Sequence, residues 1–304
     1  MSRARRLLWL SVVVLWGCGT DLPPGAPPER TLHFPAERTV GRLSMRDWGS
    51  SDADGWQTCV QARGDVRVPA GKELGLLLGR EWGHDLAPLA ALAPSDLHAL
   101  GIYDINITGG DLAQVRRLTG LRQLVLHGTG MTDDSLVHLR ELAALQSLYL
   151  DEAGITDAGL RHLTPLKSLQ ELRLPSEIGD AGLSHLRELP ALRSLFLSGA
   201  QVGNEGVAHL RGLTALRVLH LSHTRVSDDG LAHLASLPSL EELHLVSTRV
   251  TDAGLVHLQS SDSLRVVLLY GTQVTKAGAA DLRRKLPACE VELVPPRRLT
   301  PLFK

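Results

Sequence analysis

Aromatic residues are scarce, at 4% of the 304 positions, so any core must be filled by Leu, Val and Ala. Cysteine is nearly absent: only Cys18, Cys59 and Cys289 occur. Neither charge sign dominates, and the formal net charge of -1 excludes a nucleic-acid or anionic-surface binder driven by charge. After the first 20 residues no apolar run is long enough to span a bilayer. Also missing are the G-x-S-x-G elbow, the Walker A loop, a G-x-G-x-x-G between strand and helix, and H-E-x-x-H. The expectation is a non-enzyme with no catalytic residue, no cofactor and no metal.

What is present is a repeat. Leu124-Val125-Leu126 returns as Leu148-Tyr149-Leu150, Leu172-Arg173-Leu174, Leu195-Phe196-Leu197, Leu219-His220-Leu221 and Leu243-His244-Leu245, with weaker copies at Leu100 and Val267. The step is 24 residues except between 172 and 195, where it is 23. Such a period signals a solenoid, whose turns bury a continuous core and whose long face suits binding. Alternation at 148–150 reads as a strand with Tyr149 facing away from the core. Ile155 is a second inward anchor, Thr156-Asp157 supplies an N-cap, and Leu160, Leu163 and Leu166 make a short helix with one apolar stripe. A glycine recurs three residues after the Thr, at 159, 182, 206, 230, 254 and 278, which suggests close approach between turns. Thr129, Thr224, Thr248 and Thr272 follow the strands, where a hydroxyl can bond the adjacent repeat.

The pattern Leu-x-Leu-x-x-Thr-x-Val-Thr/Ser-Asp-x-Gly-Leu-x-x-Leu resembles the cysteine-containing subclass of leucine-rich repeats, with Thr or Ala in place of Cys. Such repeats occur in F-box substrate receptors and, in this Thr form, in bacterial proteins. The resemblance implies an α/β fold: a right-handed leucine-rich-repeat solenoid, or horseshoe, with a concave parallel sheet and convex short helices.

Around it the chain divides as follows. Residues 1–17 have a basic start and an apolar run from Leu7 to Trp16, the layout of a signal peptide. Leu15-Trp16-Gly17-Cys18 resembles a bacterial lipobox that would lipidate Cys18, although Trp16 departs from its usual small residue; an ordinary secretory signal is the alternative. Residues 18–30 form a Pro/Gly-rich tether. Residues 31–96 lack the repeat and read as a β-rich cap, with a strand at 41–45 and a hairpin formed by 66–68 and 74–78. Residues 97–293 hold eight repeats and a terminal strand, and 294–304 are a tail. Cys59 and Cys289 fall at opposite ends, too far apart for a disulfide.

Removing every column that the repeat demands leaves the outward strand positions. The strand-centre column includes Tyr149, Arg173, Phe196, His220 and His244; the column two residues on includes Tyr103 and Tyr270. All four aromatics of 97–293 stand in these columns. Tyr and Arg are typical anchors of protein interfaces, so these seven residues are the candidate ligand-binding set. A histidine column at 138, 162, 185, 209, 233 and 257 is set by repeat packing. On the strand side His220, His223 and His244 neighbour one another, but no Cys or carboxylate completes a metal site, Glu242 belonging to the adjoining column. The functional expectation is a monomeric protein- or peptide-binding module at the bacterial cell envelope, binding no nucleic acid and touching the membrane only through its lipid. The alternative is an F-box-type recognition adaptor in protein degradation.

Overall fold

The computed structural model describes residues 24–50, 56–83 and 85–294. The signal segment, Cys18 and the tail after Val294 lie outside the described residues, as does the Cys59 side chain.

From Ala99 onward each repeat contributes one strand. These are β6 (Ala99–Tyr103), β7 (Gln123–His127), β8 (Ser147–Tyr149), β9 (Glu171–Arg173), β10 (Ser194–Phe196), β11 (Val218–His220), β12 (Glu242–His244), β13 (Val266–Leu268) and β14 (Glu290–Glu292). Before them come β1 (Arg30–His33), β2 (Arg42–Asp47), β3 (Gln57–Gln61), β4 (Asp65–Val68) and β5 (Lys72–Leu78). Twelve strands form one sheet in the order β14 to β5 and then β2 and β3; β1 and β4 pair separately. From β5 to β14 all pairs are parallel, with Leu124, Leu148, Leu172, Leu195, Leu219 and Leu243 in one row. Every leucine of that row is fully buried, each contributing about 1.5–3 kcal/mol by leaving water. The fold is an α/β leucine-rich-repeat solenoid. Strands stack at ~4.8 Å and helices need more width, so the sheet takes the inner, concave side.

The helical side mixes two kinds of helix. Short α-helices (α1 Gly109–Leu112, α2 Asp180–Leu183, α3 Asn204–Ala208, α4 Asp228–Leu234, α5 Lys276–Lys285) alternate with 3-10 segments such as Asp133–Leu139, Gly159–Leu163 and Gly254–Leu258. Leucines three apart, such as Leu160, Leu163 and Leu166, are buried in 3-10 and α-helical turns alike, a spacing that fits the three-residue turn of a 3-10 helix without requiring it.

Three local expectations need correction or refinement. First, β4 and β5 do not form a hairpin. β4 pairs antiparallel with β1, whereas β5 pairs with β2 and β6. Second, of the Thr-Asp pair it is the Thr that can cap its own helix, as Thr275 does by accepting the Gly278 N–H, while the Asp turns to the next repeat. Asp133 Oδ1 accepts Thr156 N–H of the next turn at 2.7 Å, and the same link joins Asp157 to Gly179, Asp180 to Gly203, Asn204 to Ser227, Asp228 to Thr251 and Asp252 to Thr275. Third, Thr224, Thr248 and Thr272 donate to their own strand ends, at the carbonyls of Leu221, Leu245 and Leu269, and not to a neighbouring repeat.

The ladder of carboxylates explains the glycine column. A Cβ on Gly278 would lie 2.0 Å from Asp252 Oδ1, and one on Gly206 2.4 Å from Asp180 Oδ1. The close approach is therefore made by a side chain of the preceding turn.

The N-terminal end is closed by a charged hub. Glu73 of β5 is completely buried and accepts hydrogen bonds from Arg46 at 2.5 Å and Arg122 at 2.9 Å. The same two guanidinium groups lie 4.4 Å over the rings of Trp56 and Trp48, respectively. His98 accepts the N–H of Leu74 at 3.3 Å, and burial lowers its pKa to about 4. At the far end Glu290 and Glu292 border the last strand, with alternation that discourages further pairing. β3, which carries Cys59, and β14, next to buried Cys289, are the two opposite edges of the sheet, so the two cysteines cannot bridge.

The ladder makes a coupled pair of predictions. Gly278→Ala and Asp252→Ala should each destabilise the fold by about 1–3 kcal/mol, the first by overpacking and the second by stranding the Thr275 amide. Because alanine at 252 vacates the space a Cβ at 278 needs, the double variant should lose less than the summed singles by more than ~0.5 kcal/mol in urea denaturation. Strict additivity would refute the contact.

Candidate functional site

Zero offset between neighbouring strands turns each outward position into a straight stripe. Phe196 sits opposite both Arg173 and His220, and His220 opposite His244. The side chains touch in sequence. The Arg173 guanidinium lies 5.1 Å from the Tyr149 ring centre on one side and 4.9 Å from Phe196 on the other. Phe196 meets His220 edge-on at 4.5 Å, and His220 stacks on His244 at 3.7 Å with 21° between planes. Five of the seven expected residues thus form one continuous ladder, each half-buried by its neighbours.

Arg173 is held by these rings more than by acceptors. Its Nε is buried and lacks a hydrogen-bond partner, and the nearest carboxylate, Asp151, stays 3.8 Å away. Burial keeps the Asp151 pKa raised even beside that cation. A planar guanidinium sandwiched between π-faces and still short of acceptors is ready for a carboxylate or carbonyl from outside.

The other two expected residues stand apart. Tyr103 lies 6.1 Å from His127 and belongs to a separate hollow. Tyr270 has no aromatic partner among the described residues and sits at the C-terminal end of the stack, after β13. His223, grouped with His220 and His244 by sequence, is exposed in a turn at φ +59° and does not face them.

Two features lie outside the set that the sequence singles out. One is the adjoining outward column, two residues before the strand centre, in which the sequence already places Glu242. It holds Glu171 and Glu242. Burial, and then the Glu171 carboxylate, hold the Tyr149 phenol well above its ordinary pKa. Glu242 approaches both ladder histidines. Simple alternation was the signal for this stripe, since residue i-2 shares a face with residue i. The other is an apolar hollow between Trp56 and Tyr103, floored by Gly75 and Gly101. A Cβ on Gly101 would lie 2.8 Å from the Tyr103 ring. Trp56 comes from the N-terminal segment, so no repeat pattern could have pointed to it.

The single 23-residue step also has a structural outcome. In most turns after the strands one residue adopts a left-handed conformation: Asp104, Gly128, Glu152, Gly199, His223, Ser247 and Gly271. The turn after β9 has none; the equivalent residue there is Ser176, which follows Pro175, and the missing residue of the short repeat falls just after it. That shortened turn borders a polar hollow lined by Asp151, Glu152, Arg173, Pro175 and Ser198, directly beside the ladder.

The histidine column of the helical side brings no three metal-ligating groups together. Among the described residues the only such group is His220, Glu242 and His244.

Comparison with known proteins agrees with the fold. The family described as Leucine Rich repeat matches residues 212–235 and 236–258. The solved structure of internalin C2 from Listeria monocytogenes is similar, with 24% identity over 69% of this chain and 84% of that one, and a TM-score of 0.55. No curated protein matches the chain.

The Tyr149 environment is directly measurable. In a spectrophotometric titration, the wild type minus Tyr149→Phe difference should show no phenolate rise at the ~10 of a free tyrosine, only one at higher pH. A transition at the ordinary position would mean that the ring is solvated and the ladder open.

Proposed function

We propose that this chain is a non-enzymatic recognition module that holds a protein or peptide on its concave sheet. The observation that carries this reading is the stacked ladder Tyr149, Arg173, Phe196, His220 and His244. Its aromatic faces are gathered on one surface of a domain otherwise poor in them. Rings already immobilised by their neighbours lose little side-chain entropy when a ligand docks, and a guanidinium fixed between them adds direction. Tyr103 and Tyr270 would extend the contact toward either end. The shortened turn at Pro175 would admit a side chain beside Arg173. No cofactor enters this reading, and the chain would act as a monomer.

The setting we infer is the bacterial cell envelope. It is supported by the basic and apolar character of residues 1–17, by Cys18 in its lipobox-like context and by the Pro/Gly-rich tether that follows. Two acyl chains on one cysteine would anchor the domain stably, and the tether would hold it off the surface. No helix among the described residues is long and apolar enough to cross a membrane.

Two experiments separate these parts. Immobilised wild type should recover proteins from an envelope extract that a Tyr149→Ala/Phe196→Ala variant does not; equal recovery eliminates the ladder as the site. Metabolic labelling with a radioactive fatty acid should mark the full chain and spare Cys18→Ser. Label in both, or in neither, would remove the anchor.

A further inference from the structure

The outward end of the ladder has a chemistry that peptide binding does not require. His220 and His244 occupy adjacent parallel strands at the same level. Glu242 precedes His244 by two residues and shares its face, so its carboxylate reaches both rings. Glu242 Oε1 lies 2.5 Å from His244 Nε2 and 3.7 Å from His220 Nε2. One donor atom from each of the three lies within 4.8 Å of the others.

We propose that His220, His244 and Glu242 form a binding site for a divalent transition-metal ion, with Zn2+ the best match. Two imidazoles and one carboxylate are a recurrent zinc donor set. Zinc with bonds of ~2.0–2.1 Å sets tetrahedral donors ~3.4 Å apart. The present spacing is close enough for side-chain rotations to supply the rest. The metal would replace the proton that His244 Nε2 shares with Glu242, and the carboxylate would neutralise one of its two charges.

The alternative is a plain hydrogen-bonded pair, His244 with Glu242, and it leaves His220 unexplained. His220 Nε2 lies 3.7 Å from the same carboxylate oxygen, too far for a hydrogen bond and within reach of a shared ion. Phe196, edge-on at 4.5 Å, restrains its ring as an outer-shell partner would. About four-fifths of each imidazole is covered, while Glu242 keeps 37% of its surface exposed. An ion would thus have three protein ligands, and its fourth position would face the concave space, open to water or to a carboxylate from a bound molecule.

The test is calorimetric titration of the metal-free protein with ZnCl2. One ion should bind per chain, and His220→Ala, His244→Ala or Glu242→Gln should each weaken it at least about 100-fold, more than loss of an outer-shell group does. Far-UV circular dichroism should be unchanged, because all three side chains lie outside the leucine core. Tyr149→Ala, which the peptide-binding reading makes damaging, should leave zinc affinity intact, as should His233→Ala on the helical side. Cobalt in place of zinc should give the intense visible bands of a tetrahedral ion, absent in His244→Ala. No binding, or binding insensitive to the three substitutions but sensitive to His233→Ala, would overturn the site.

Discussion

Neighbouring strands from β5 to β14 pair in register, each hydrogen-bonded row repeating one position of the repeat. Parallel pairing without offset forces identical roles into columns. A leucine in one turn must pack on the leucine of the next, because nothing else stands opposite. The same rule operates on the outward face, where no packing demand selects the residue. The columns there are free to differ, and their contents become contiguous stripes. Core and candidate site are thus two readings of one pairing constraint. What the inward rows spend on uniformity, the outward rows hold as variety.

A second constraint fixes how the helical side follows the sheet. In six successive turns, from Asp133 to Asp252, an Asp or Asn at the start of the helical segment accepts the amide of the next turn, and the glycine of that next turn makes room for it. The link always runs forward along the chain. It satisfies an amide that a helix of four or five residues could not satisfy by itself. It also explains why so short a segment, often 3-10, stays in place: the partner is supplied by the neighbouring turn. The N-terminal end cannot receive such a link from a repeat, and there the buried Glu73 with Arg46 and Arg122 binds strands β2, β5 and the first turn together.

The leucines, the strand columns and the Thr-Asp-Gly spacing were legible because each recurs, and recurrence separates packing from accident. What failed to show was whatever depends on a partner far away in the chain. Residues 66–68 and 74–78 are near in sequence and both alternate, so they look like a hairpin; only the competing partners β1 and β2 reveal otherwise. The Thr-Asp pair reads as a local N-cap, whereas the acceptor role of the Asp toward the next turn spans 22 or 23 residues, beyond any local pattern. The ladder residues were identifiable one by one. Their contacts were not, since whether Arg173 lies between two rings or reaches Asp151 depends on side-chain torsions. Glu242 was visible but assigned to another column. It matters because adjoining columns on one face are closer than separate labels suggest.

The regular stacking of the strands also makes the concave face a ruler. Tyr149 and Phe196 are two rungs apart, which is ~9.6 Å at the usual interstrand spacing. A polyproline II segment advances ~9.3 Å in three residues and returns to the same side in that distance. A β-strand with its two-residue alternation has same-side residues at ~6.6 Å, which falls between rungs. A ligand running along the stack would therefore keep step with these two rings in the first conformation and drift out of phase in the second. The spacing of the scaffold, set by the backbone hydrogen bonds between the strands that carry these rings, would then favour one backbone shape over another before any side chain of the ligand is considered.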